Sequence, residues 1–228
     1  MNSINQQYIE INSTCERWLR QTKDITHELA NGKNVEIYNQ LIPKAKTILM
    51  DYQTNFEQLQ RLRNRLNRLA QTSKISEATQ KLNDIDRLIK DLTIQRDNLE
   101  QRLETSQKIH FQLNEFNKQY IFYEQWINNT HRTIESLSEP LLAIEEKLQR
   151  FHDVQIELDK RKQILMNLTH EYPQITQIVT IAIQKLIETI EQMKTNVIRK
   201  QEEYEQQNRQ QKDFRERIES MFEWIKQT

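Results

Sequence analysis

Along the first 30 residues, apolar or small side chains stand at Ile4, Tyr8, Ile11, Cys15, Trp18, Thr22, Ile25 and Leu29, at gaps alternating four and three. That spacing keeps one face of an α-helix against a partner helix, as in a heptad seam. Asn31 and Gly32 give a stop, with Gly32 expected in the left-handed cap conformation. A second seam follows through Val35, Tyr38, Ile42, Ala45, Leu49, Tyr52, Phe56, Leu59, Leu66 and Leu69. Pro43 lies early within it, so this helix either starts near Pro43 or is kinked there.

From Lys44 to Glu139 there is neither Gly nor Pro. One helix of that length would run about 140 Å, so a break is expected at Gln71 to Ser76, where Thr72, Ser73 and Ser76 can cap a new helix. The third seam runs Ile75, Leu82, Ile85, Ile89, Leu92, Leu99 and Leu103, and no turn signal separates it from Phe116, Tyr120, Tyr123, Ile127, Thr130, Ile134 and Leu137. A third helix is therefore expected to run straight into a fourth segment. Ser138-Glu139-Pro140 ends that stretch and opens another helix, with Ser138 as cap and Pro140 in its first turn. Leu141, Leu148, Phe151, Leu158, Leu165 and Leu168 line it, and Tyr172-Pro173 marks the next turn. The remainder, Ile175 to Thr228, has no further punctuation.

These seams belong to a unit used more than once. Trp18, Trp126 and Trp224 are 108 and 98 residues apart. Each is followed by Leu19, Ile127 or Ile225, then by Thr22, Thr130 or Thr228, and preceded by Cys15, Tyr123 or Met221 and by Tyr8, Phe116 or Phe214. A period that long indicates an array of domains. The expected divisions are 1–109, 110–207 and a partial unit at 208–228, as if cut from a longer array. Trp18 and Trp126 are expected as core anchors whose truncation to Ala costs about 3–5 kcal/mol. Trp224, with no partner helices following it, is expected to be exposed or irregularly packed.

Composition agrees with long charged helices. One Gly in 228 residues leaves no material for sheets or phosphate-binding loops, and charged residues make up 29%. Net charge is zero, with 33 basic and 33 acidic side chains, so nucleic acid is not an expected partner. The single cysteine, Cys15, cannot form an intrachain disulfide and reads as a small buried hydrophobe, which points to a reducing compartment. The densest apolar stretch, Ile175 to Ile190, is broken by Gln177, Gln184, Lys185 and Glu188, so no membrane span is expected. The Asn-x-Ser/Thr triplets at Asn12, Asn128 and Asn167 read as chance matches.

His27, His110, His131, His152 and His170 lack metal-ligand spacing, and no nucleophile–base motif stands out. No catalytic residue, metal, cofactor or small-molecule substrate is expected, and the chain reads as a non-enzyme. Two surfaces are candidate partner-binding sites. Arg61, Arg65 and Arg68 share one helical face that could meet acidic actin or anionic headgroups, against the alternative of a solvated helix end. Ile178 and Ile181, with Ile183 and Ile187, lie off their seam, either as extra burial within the bundle or as a protein-docking face.

A Trp inside the first of three helices, about 100 residues per unit, and a third helix fused to the following first helix resemble the spectrin repeat. Gln112, Gln119, Thr133 and Arg217 stand where that pattern expects apolar residues. The resemblance implies an all-α fold: tandem antiparallel three-helix bundles joined by continuous linker helices into an elongated rod. It implies a spacer or scaffold segment, similar to those of the giant cytoskeletal linkers (nesprins, spectraplakins and dystrophin-like proteins). The implied partners are cytoskeletal or scaffold proteins, actin among them directly or through other domains. The implied location is the cytoplasmic cytoskeleton, the cell cortex or the cytoplasmic face of the nuclear envelope. Two alternatives are a parallel coiled-coil dimer, which predicts uninterrupted heptads, and a BAR-like membrane-curving dimer, which predicts a basic face.

Overall fold

The computed structural model describes residues 2–73, 76–138 and 142–227, with the side chains of residues 2, 3, 72, 73, 76 and 227 outside that description. Among the described residues five helices follow in chain order: α1 (Asn2–Ala30), α2 (Val35–Ser73), α3 (Ser76–Ser136), α4 (Ile144–Leu168) and α5 (Thr176–Gln227). There is no strand among the described residues. The chain forms two compact units, Met1–Asn114 and Glu115–Thr228, against the expected first division at 109 and 110. The division falls inside α3, which contributes its first part to one unit and its last part to the other.

In the first unit the direction of each helix can be read from its polar contacts. Glu28 of α1 faces Lys44 of α2 at 3.9 Å, whereas Gln7 faces Arg65 at 2.8 Å, so α1 and α2 are antiparallel. Tyr52 meets Thr93 at 3.4 Å and Arg63 meets Asp86 at 2.6 Å, so α2 and α3 are antiparallel too. Tyr8 donates to Asp84 and Lys81 bonds Asn5, which sets α1 parallel to α3. The second unit repeats this order with the end of α3, α4 and α5. Asp159 pairs with Lys194 at 2.6 Å while Phe151 stacks on Tyr204, so α4 and α5 are antiparallel. Phe116 packs on Tyr172 and Lys200 bonds Ser138, so α3 and α5 run together.

The cores follow the heptad spacing with shifted phases. Cys15, Trp18, Thr22, Ile25 and Leu29 are buried on α1. On α2 the buried line is Tyr38, Ala45, Ile48, Tyr52, Asn55, Leu59, Leu62 and Leu66, so Ile48 and Asn55 replace the expected Leu49 and Phe56, which are half-buried. Once Ala45 is inside, alternating steps of three and four lead to 48, 52, 55 and 59. On α3 one series of sevens, Ala78, Ile85, Leu92, Leu99, Ser106 and Leu113, is buried throughout. Each large apolar side chain so enclosed contributes about 1.5–3 kcal/mol.

The punctuation differs from expectation at Gly32 and Ser138, and of the two alternatives at Pro43 a helix start is the one that does not hold. The φ of Gly32 is outside the left-handed region. What requires glycine there is crowding, because a Cβ would stand 2.7 Å from Tyr38 Cζ. The Tyr38 ring is buried and its hydroxyl donates to the Gly32 carbonyl at 3.0 Å. Asn34 supplies the cap of α2, its Oδ1 accepting from the Ile37 N–H at 2.9 Å. Pro43 lies inside α2, several residues after its start. Pro43 and Asn39 are both exposed, so the Asn39 carbonyl that loses its helical donor can turn to water. Ser138 does not cap the next helix. Helix α4 starts at Ile144 after Ala143, and Ser138 instead accepts from Lys200 and Tyr204. The expected roles of Ile75, Pro140, Leu141 and the caps Thr72, Ser73 and Ser76 lie outside the described residues or side chains.

Two substitutions check this packing. Gly32→Ala should lower the unfolding free energy of the first unit by about 1–3 kcal/mol, since the new methyl overpacks the Tyr38 ring. Ser106 is fully buried with no hydrogen-bond partner for its Oγ, so Ser106→Ala should raise stability by about 1 kcal/mol. Urea melts of the two variants check both signs.

Candidate functional site

The three tryptophans, alike in sequence, stand in three different environments. Trp18 is 2% exposed. Its indole N–H donates to the Ile48 carbonyl of α2 at 2.7 Å, and its ring lies 5.7 Å from that of Tyr52. Tyr52 in turn meets Thr93 and the Arg96 guanidinium of α3, 5.1 Å above its ring. One aromatic cluster therefore ties all three helices of the first unit.

Trp126 corrects the expectation of a second enclosed anchor: it is only half-buried. The seam passes through Tyr123, Ile127, Ile134 and Leu137 instead. The position corresponding to Ile25 is Thr133, which is exposed, while Ile134 is 1% exposed. Burying Ile134 turns this face of α3 toward Ile127 and leaves the indole at the edge. There it lies beneath Arg161 of α4, whose guanidinium is 5.5 Å from the Trp126 ring and 5.8 Å from Phe122. Trp224 is 66% exposed, together with Phe214, Met221, Phe222 and Ile225 on the last turns of α5.

The arginine run is on the outer face of the first unit. Arg61, Arg65 and Arg68 are all exposed. Arg61 pairs with Glu57 at 3.5 Å and Arg65 donates to Gln7 at 2.8 Å, so both serve contacts within the first unit. Arg63 Nε is 2.6 Å from Asp86, close but off the line of a hydrogen bond. On α5, Ile178 and Ile181 are 41% and 56% exposed, so the expectation of extra burial fails for both. The seam there is Ile175, Val179, Ile183, Leu186 and Ile190, which takes in Ile183 and leaves these two outside.

Lys147 is a residue the sequence pattern missed. It is 4% exposed, with its ammonium 4.8 Å above the Tyr204 ring, and Tyr204 stacks on Phe151. The neighbouring Leu148 drew the seam in sequence. Lys147 takes the place by laying its alkyl stem across the core and its charge over an aromatic face.

Cys15 is 1% exposed, and burial pushes its thiol up to about 11. The thiolate that attacks disulfides and alkylating agents is therefore scarce in the folded chain. No group of His, Cys, Asp or Glu among the described residues is placed to hold a metal ion. No helix among them is long and apolar enough to cross a membrane. Compared with protein-family models, with curated proteins and with solved structures, the chain matches none.

Two outcomes follow. Trp18→Ala should destabilise by about 3–5 kcal/mol, whereas Trp126→Ala should cost about half as much or less, because only part of that ring leaves water; chemical denaturation measures the difference. The Cys15 thiol should react with an aromatic disulfide reagent no faster than the first unit unfolds. Between about pH 9 and 11 the unfolded chain loses a thiol proton that the folded chain keeps, so stability should fall as pH rises through that window.

Proposed function

We propose that the chain is a non-enzymatic spacer and scaffold segment built of spectrin-type repeats, from a cytoskeletal linker protein. The observation that carries this reading is that both compact units have the same three-helix order, with α3 contributing to each. A spacer of this kind needs its units joined by continuous secondary structure, and α3 belongs to both units. The 208–228 segment serves as the opening helix of a further repeat. Its support is the motif it shares with α1, together with the exposed Phe214, Met221 and Trp224. On this reading the arginine face at 61–68 and the Ile178–Ile181 face are docking surfaces for cytoskeletal or scaffold proteins, with actin as the acidic candidate for the first.

Each unit is closed by contacts within the chain, which favours this reading over a parallel coiled-coil dimer. Trp18 hydrogen-bonds a carbonyl of its own α2, a contact that two long helices wound in parallel would not provide. Sedimentation equilibrium with small-angle scattering tests the proposal. A monomer about 100 Å long, from roughly 50 Å per unit, is expected. A dimer, or a monomer no longer than one unit, would refute it.

A further inference from the structure

Between α1 and α3 of the first unit lies a groove of about 570 Å³, within the size range of small-ligand sites. Its walls include Lys23, Thr26 and His27 from α1 and Gln95, Asn98 and Arg102 from α3. Among the described residues no carboxylate lines it. Asp91 belongs to a smaller adjoining hollow of about 150 Å³, which shares Lys23 and Gln95. Neither Lys23 nor Arg102 is in an ion pair among the described residues, whereas Arg61, Arg150 and Arg199 each hold a glutamate one turn away on their own helix.

The spacing gives the groove two levels. Lys23 and His27 are four residues apart on α1, and Asn98 and Arg102 are four apart on α3, so each pair stacks one turn above the other. The two helices are parallel, which brings one basic wall against a wall of amide and guanidinium donors. Lysine supplies a compact charge, arginine a planar fork that matches phosphate oxygens, and the Asn and Gln amides further N–H donors. Such walls repel a cation and offer an apolar ligand little. They suit a ligand carrying negative charge at two points about one helical turn apart.

We propose that this groove binds a small molecule or headgroup bearing two or more phosphates, with Lys23 and Arg102 as the principal contacts. The proposal is independent of the spacer reading. A bare phosphate engages only one level and binds more weakly.

Calorimetric titration of the whole chain with inositol hexakisphosphate tests it, with inorganic phosphate as the single-level comparison. Saturable binding of one ligand per chain is expected. Lys23→Glu with Arg102→Glu should weaken it at least about tenfold, as loss of charge-assisted hydrogen bonds implies. Arg150→Glu with Arg199→Glu makes the same change in net charge on the surface of the second unit and should alter the affinity less than about twofold. Lys23→Gln with Arg102→Gln replaces the reversed pair if that one fails to fold, and circular dichroism checks each variant. Vesicles carrying a bisphosphorylated inositol lipid form a second arm. Groove-dependent binding to both probes identifies a membrane headgroup as an accepted source, and binding to the soluble probe alone identifies a free ligand; either supports the proposal. No binding to either probe, or equal weakening by the two charge-reversed pairs, overturns it.

Discussion

A buried indole must place its N–H against an acceptor, and Trp18 does so on the Ile48 carbonyl at 2.7 Å. Left without that acceptor, the N–H would be one more buried polar group paid for in stability. The contact fixes how far α1 can slide along α2, and Tyr52 carries the constraint on to α3 through Thr93 and Arg96. The buried residues of the first unit on either side of it, Cys15, Thr22 and Ile25 on α1 and Ala45, Leu59 and Leu62 on α2, follow from that register.

The second unit shows what happens when the same motif sits on a slightly different helix face. Its core is set by Phe116, Tyr123, Ile134 and Leu137, with Phe151 and Leu158 from α4 and Val179 and Ile190 from α5. The indole of Trp126 is left at the edge, where Arg161 covers it. The same sequence motif thus serves once as an enclosed tie and once as an aromatic rim. Trp224, exposed on the last turns of α5, is a third variation.

Much of this was legible in the heptad spacing. The ends of α1 and α2, the unbroken α3 and the turn at Tyr172-Pro173 all follow from where Gly, Pro and the seams fall. Register within each helix was harder to read. On α2, leucine and phenylalanine at 49 and 56 outweighed Ile48 and Asn55 on hydrophobicity, although a core position accepts a polar residue once its neighbours fix the phase. The identity of Trp126 suggests a core residue, yet the apolar line through Tyr123, Ile127, Ile134 and Leu137 bypasses it. The reason for Gly32 was out of reach, since it depends on where a tyrosine six residues later folds back. The phosphate groove was invisible for a related reason: Lys23, His27 and Arg102 are scattered in sequence and meet only when α1 and α3 lie side by side. The compact arginine run is the more conspicuous basic feature in sequence, yet Arg61 and Arg65 serve contacts within the first unit.

The most direct test of the central claim uses three proteins, each keeping one tryptophan and carrying phenylalanine at the other two positions. Acrylamide quenching of their fluorescence should rank them: Trp18 nearly unquenched, Trp126 intermediate, and Trp224 the most strongly quenched. Equal quenching of Trp18 and Trp126, or ready quenching of Trp18, would contradict the account of an indole locked between helices in the first unit alone.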